Sequence, residues 1–143
     1  MNVAAILKAK GRNVGTARPD TSVQEIANRL AARKIGAIVI VGTEGRVEGI
    51  ISERDIIRAI ADLGPAAIDR PVGDFMTRNV VTCLETDTLD QVMSTMTAGR
   101  FRHLPVVVDD ALVGIVSIGD VVKHHIAEVE MEAIALKTYL VAG

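Results

Sequence analysis

Val47-Glu48-Gly49-Ile50-Ile51-Ser52-Glu53-Arg54-Asp55 and Leu112-Val113-Gly114-Ile115-Val116-Ser117-Ile118-Gly119-Asp120 are two versions of one pattern. Each is an apolar, β-branched run that ends in Ser-x-x-Asp, with a glycine three residues before the serine. Upstream, the correspondence continues at an offset of 66, laying Thr16 on Thr82, Ser22 on Thr88, Leu30 on Met96 and Ile38 on Leu104. From Gly49 onward the offset is 65, and Gly49, Ile50, Ser52 and Asp55 fall on Gly114, Ile115, Ser117 and Asp120. A single-residue deletion in a loop reconciles the halves. The chain is a duplication, and a repeat of this length decides the architecture.

Each half spells β-α-β-β-α. A short strand is expected near Gly15–Ala17 and again at Val80–Cys83. A helix comes next, opened by capping-box patterns at Ser22-Val23-Gln24-Glu25 and Thr88-Leu89-Asp90-Gln91. Val23, Ile26, Ala27 and Leu30 then carry helical spacing, as do Leu89, Val92, Met93 and Met96. Two β-branched runs joined by a tight turn come after the helix: Ala37–Val41 with Val47–Ile51, and Leu104–Val108 with Leu112–Ser117. The second helix of each half starts at Ser52 or Ser117. The fold class expected is α/β (α+β), with the two repeats packed face to face about a pseudo-two-fold axis, plus helices at both ends. The divisions are an N-terminal helix in 1–13, repeat one in 14–64, a linker in 65–75, repeat two in 76–125 and a C-terminal helix in 126–143.

Composition narrows the function. The net charge of −2 offers no basic field for nucleic acid, and three aromatic residues supply no stacking platform. No apolar run approaches the roughly 20 residues that span a bilayer, and Lys8, Lys10 and Arg12 interrupt the first apolar stretch, so neither membrane nor secretory leader is expected. A lone cysteine, Cys83, excludes an internal disulfide and suits a cytoplasmic address. Nucleophile-elbow, P-loop and dinucleotide-binding glycine motifs are all absent. His124 and His125 are adjacent on a helix and point about 100° apart, so they do not chelate one ion. The chain is not expected to be an enzyme, and no metal site or catalytic cofactor is expected.

Two readings fit Ser-x-x-Asp at a strand-to-helix junction. The hydroxyl and carboxylate suit a capping box, favoured by the helix dipole. The same carboxylate, facing outward from a sheet edge, suits the two hydroxyls of a ribose. Phosphate, in contrast, needs cations or free backbone N–H groups at a distance from the aspartate.

The two opening runs, together with Arg102-His103-Leu104-Pro105-Val106-Val107, resemble the signature of CBS domains over roughly residues 14–125. That resemblance implies a tandem pair, often called a Bateman module, that binds adenosine ligands (AMP, ADP, ATP or NAD) in clefts between the repeats. It places Asp55 and Asp120 on the ribose with Ser52 and Ser117 beside them, and Arg102 and His103 on phosphate, with Arg54 and Arg100 as further cations. Gly36 and Ala37 are small enough to admit a flat base, walled by Ile38, Leu104 and the starts of the halves at Thr16 and Thr82. Pro105 belongs to the same strand start. S-adenosylmethionine, which has ribose but no phosphate, and a purely structural module with empty clefts are the alternatives.

The ends carry apolar stripes. Ile126, Val129, Ala133, Leu136 and Leu140 lie on one face of a C-terminal helix, and Val3, Ile6 and Leu7 form a shorter N-terminal stripe. Either they pack on their own domain or, as the resemblance implies, they help form a homodimer. Any signal would then pass through that dimer or an unidentified regulated protein.

Overall fold

The computed structural model describes residues 1–142. Its elements run α1 (Val3–Lys10), β1 (Thr16–Ala17), α2 (Val23–Arg33), β2 (Ala37–Val41), β3 (Val47–Ser52), α3 (Glu53–Leu63), 3₁₀ turns at Gly64–Asp69 and Val72–Asp74, α4 (Leu89–Gly99), β4 (His103–Val108), β5 (Ala111–Ser117) and α5 (Ile118–Ala142). Both repeats are present in the order read from the sequence, an α/β fold in two pseudo-equivalent halves. The equivalence reaches into irregular features. Helices α2 and α4 both end on a left-handed non-glycine residue, Lys34 and Arg100. Both hairpins slip register at matched positions, Ile40/Val41 and Val106/Val107.

The caps match the sequence with one exception. Thr88 and Gln91 form a reciprocal box, as do Ser52 and Asp55. Ser22 caps through the Glu25 amide, but the Glu25 carboxylate turns instead to Arg29 Nη2 at 2.7 Å. Half the expected box is therefore replaced by an i,i+4 ion pair.

The second half lacks its expected first strand. In the first half β1 pairs in parallel with β2, Thr16 opposite Val39 and Ala17 opposite Ile40, and Val39 donates to the Gly15 carbonyl at 3.1 Å. Pro105 stands at the position equivalent to Val39 and has no N–H to give. The expected strand Val80–Cys83 shrinks to a single bridge, Cys83 to Val106. The Pro105 carbonyl accepts from the Cys83 amide at 3.0 Å. The side of Pro105 that lacks a donor thus faces the short segment, and the β4–β5 ladder is spared.

Each half borrows from the segment that leads into the other. Val3, Ile6 and Leu7 of α1 precede repeat one yet lie in the core of repeat two, among Leu89, Val92, Leu104, Val106 and Val116. Val72 and Met76 lead into repeat two yet lie in the core of repeat one, among Val23, Ile26, Ile38, Ile40 and Ile51. The docking bonds match: Val3 N donates to Asp87 O at 2.9 Å, and Val72 N to Thr21 O at 2.8 Å. The two motif glycines make the room. A Cβ at Gly114 would stand 2.7 Å from Leu7 Cδ2, and one at Gly49 would stand 2.5 Å from Met76 Sδ.

Two expected boundaries change. The linker 65–75 is folded into the two 3₁₀ turns, with Ala67 and Val72 buried. No break divides repeat two from a C-terminal helix at 125 and 126: α5 is one helix of 25 residues. Beyond Val121 its side chains lie largely in solvent, and Ile126, Leu136 and Leu140 are 52%, 61% and 69% exposed. The C-terminal stripe is not packed on its own domain, whereas the N-terminal stripe is.

Leu7→Ala is expected to lower stability by about 2–5 kcal/mol, as emptying a filled core site does, and to make Cys83, which shares that core, reactive toward a thiol reagent. Urea unfolding followed by circular dichroism measures the first, and the rate of Cys83 labelling in native buffer the second. An unchanged midpoint would place α1 outside the core.

Candidate functional site

Both Ser-x-x-Asp turns spend one carboxylate oxygen on the cap and leave the other. Asp55 Oδ2 accepts from Ser52 N at 2.9 Å and Ser52 Oγ at 3.0 Å. Asp120 Oδ2 accepts from Ser117 N at 2.9 Å, while Asp120 N donates to Ser117 Oγ at 3.1 Å. Among the described residues, Oδ1 of either aspartate accepts no hydrogen bond, and neither is sealed from solvent. The capping and binding readings are therefore compatible: the box fixes the rotamer, and the second oxygen faces outward.

The neighbours of the two turns differ. Register places Ala37 opposite Ser52 and His103 opposite Ser117. The space at Gly36, expected to admit a base, is instead filled by the imidazole of the other repeat: a Cβ there would meet His103 Cε1 at 3.1 Å and Nε2 at 3.2 Å. Burial, with nearby Lys10 and Arg102, pushes His103 below its ordinary value of 6.5, against the opposing pull of Asp120 and Glu53. The shift favours the neutral ring, which has a single N–H to donate.

Lys10 is the cation that the motifs did not reveal. It is the last residue of α1, and the exchange of α1 onto repeat two brings it to the Asp120 turn. Its Nζ donates to Asp120 Oδ2 at 2.7 Å and to the Ile115 carbonyl at 3.0 Å. Burial raises the Asp120 carboxyl, but the Lys10 bond, the Ser117 amide and the Lys10 charge outweigh it and hold the group below its usual 3.8. The separation of 110 residues leaves no sequence signal for this pair.

Other expected site residues divide in two. Ile38 and Leu104 are each 1% exposed in the two cores, so a ligand could meet only their backbone. Ala37 and Pro105 are also buried. Thr16, Thr82, Arg54, Arg100 and Arg102 are exposed, with Arg100 capping α4. Thr16 lines a cavity of about 560 Å³ between the hairpin turns, with Arg46 from repeat one and Asp109 and Leu112 from repeat two. That cavity is at the opposite end of the hairpins from the Ser-x-x-Asp turns, so Thr16 does not join them.

The nucleophile inventory is short. Burial, with a lesser contribution from Asp87, pushes the Cys83 thiol up to about 12, which removes the thiolate at neutral pH. Among the described residues no group of three His, Cys, Asp or Glu could hold a metal ion.

The CBS-domain family profile matches residues 10–62 and 72–126. The chain is 32% identical over 149 residues to the CBS domain-containing protein CBSX3, mitochondrial, of Arabidopsis thaliana, covering 99% of this chain and 72% of that one. It spans 63% and 39% of two further curated relatives. Among solved structures it is similar to the CBS-domain containing protein ATU1752 of Agrobacterium tumefaciens (48% identity, TM-score 0.85, 87% of this chain and 99% of that one). The CBS domain pair of MJ0100, solved with 5′-methylthioadenosine and S-adenosyl-L-methionine, matches at 30% identity and TM-score 0.80, over 90% of this chain and 98% of that one. The CBS domain protein PAE2072 of Pyrobaculum aerophilum, solved with AMP, matches at 28% and 0.75, over 84% and 89%.

Lys10→Met removes two of the influences that lower Asp120, so its carboxyl is expected to rise, and His103 to move up toward 6.5. A depressed carboxyl contributes stability above its unfolded value, lost as pH falls through the folded one. The variant is therefore expected to unfold at higher pH on acid titration. NMR titration of both residues checks this, and unmoved Asp120 would remove Lys10 as the cause.

Proposed function

The chain belongs to the CBS-domain family, and on that footing we propose that it is a regulatory module that binds an adenosine ligand between its repeats and does no chemistry on it. The observation that carries this reading is the pair of outward carboxylate oxygens, Asp55 Oδ1 and Asp120 Oδ1, each held in place by a cap that uses only Oδ2. A rigid acceptor at a sheet edge suits a ribose diol, because the rotamer cost is met by folding rather than by binding. The ligands seen in PAE2072 and MJ0100 share that ribose and differ in the group attached at its 5′ carbon. Within the adenosine class we favour AMP, ADP, ATP or NAD over S-adenosylmethionine, because Lys10 and Arg102 bring positive charge to the Asp120 side.

The module acts, on this reading, as a homodimer. Ile57, Ile60 and Leu63 of α3 and Ile118, Val122 and Ile126 of α5 are exposed apolar residues on the second helices of the two repeats. Burying such faces against a second copy removes them from water, where each large side chain is worth about 1.5–3 kcal/mol. Ligand binding then biases the dimer or a regulated partner through its differential affinity for two states.

Isothermal titration of nucleotide-stripped protein with AMP, ATP, NAD and S-adenosylmethionine, with guanosine monophosphate as control, tests the binding. Asp55→Ala and Asp120→Ala are each expected to weaken the preferred ligand about tenfold or more, the worth of a charged hydrogen bond, with the fold intact by circular dichroism. Affinity unchanged in both variants would overturn the ribose role. Truncation after residue 125 is expected to lower the sedimentation mass from dimer toward monomer. A truncated chain that stays dimeric would confine the interface to α3 and the first two turns of α5.

A further inference from the structure

We propose that Lys10 sets the ligand class of the Asp120 cleft, by presenting an ammonium N–H to a phosphate while Asp120 Oδ1 holds the ribose. This rests on the adenosine reading above and adds to it a residue that lies outside both Ser-x-x-Asp motifs.

Three observations carry the inference. An ammonium has three donors, and the protein uses two of them here, on Asp120 Oδ2 and the Ile115 carbonyl. The third is left over on a side chain that is 33% exposed. The two existing bonds place the ammonium before any ligand arrives, as preorganised recognition of an anion requires. Next, the pair cancels the aspartate's charge. A bare carboxylate repels phosphate, whereas a carboxylate already bonded to a lysine is close to neutral yet keeps Oδ1 as an acceptor. Last, the arrangement occurs in one cleft only. Ile50 is the residue of repeat one that corresponds to Ile115, and its carbonyl is taken by the Thr77 backbone amide at 2.9 Å instead of an ammonium. Asp55 accordingly has Ser52 as its hydrogen-bond partner and no lysine.

His103 does not fill this role, since its ring packs on Gly36 of the other repeat. Lys10 also occupies Asp120 Oδ2 without covering Oδ1, which favours a shared site over a blocked one. The two clefts are then unequal. The Asp120 cleft selects a phosphorylated adenosine, and the Asp55 cleft selects on the nucleoside alone.

The test compares AMP with adenosine by isothermal titration on the full chain, as wild type, Lys10→Met and Lys10→Arg, each checked by circular dichroism to be fully folded at the titration temperature and pH. Lys10→Met keeps the length of the aliphatic stem but removes the charge. AMP affinity at one of the two sites is expected to fall about tenfold to a hundredfold in Lys10→Met, the range for a charge-assisted hydrogen bond. Adenosine affinity is expected to stay within about twofold, well inside that range, and Lys10→Arg to retain AMP. Tighter binding of both ligands to Lys10→Met would overturn the proposal and make Lys10 a stopper competing with ribose. An equal loss for both ligands would also overturn it, showing that Lys10 acts only by holding Asp120. Wild type that binds neither AMP nor adenosine would instead bring down the adenosine reading, and this inference with it.

Discussion

Two missing methyl groups organise this protein. At Gly49 and Gly114 a strand passes so close to a neighbouring side chain that any Cβ would collide with it, and in each case the neighbour comes from the segment that leads into the other repeat. Met76 closes the core of repeat one, and Leu7 closes the core of repeat two. Neither repeat completes its interior with its own residues, so the halves fold as one unit with two cores. The small repeat, too short to bury both faces of a three-stranded sheet, solves its packing by exchange. The 3₁₀ turns at 64–74 and the helix at 3–10 are the two arms of that exchange, which is why a stretch rich in Gly and Pro is folded and anchored through Ala67 and Val72 rather than free.

The exchange also explains how a duplicated scaffold acquires unlike sites. Duplication copies the Ser-x-x-Asp caps, and the caps remain superimposable in function: Oδ2 to the backbone, Oδ1 outward. The arms are not copies of one another. One is a regular helix with Lys10 at its tip, and the other is a pair of short turns that leads on to Thr77, whose amide meets the Ile50 carbonyl. Whatever the arm carries is delivered to the neighbouring repeat's turn. Divergence at the tips of the arms, beyond the core residues Leu7 and Met76, therefore alters one Ser-x-x-Asp turn at a time.

Much of this was legible in the sequence. Helix starts at Ser22, Ser52, Thr88 and Ser117 declared themselves through local side-chain-to-backbone bonds spaced three residues apart, and the paired hairpins through β-branched runs of fixed length. The features that local reasoning missed involve partners far apart. The lost strand at Val80–Cys83 depended on Pro105, whose missing donor matters only once the parallel neighbour is known. Ile38 and Leu104 read as possible cleft walls because alternation alone does not say which face of a strand meets the core. Gly36 read as an opening because sequence does not show that His103 fills it. Lys10 read as a residue interrupting an apolar stretch, and its partner is 110 positions away.

The cap at Asp120 is also the first turn of α5, and α5 continues without a break for 25 residues. At 1.5 Å per residue the helix is about 37 Å long. Its near end is gripped by the sheet and by α1, and its far end is not held by its own chain. Such a helix is a lever with its pivot at the Ser117–Asp120 turn. A tilt of about five degrees at Ser117 sweeps the far tip through about 3 Å, so a rearrangement too small to disturb either core becomes a displacement that a docked surface can register.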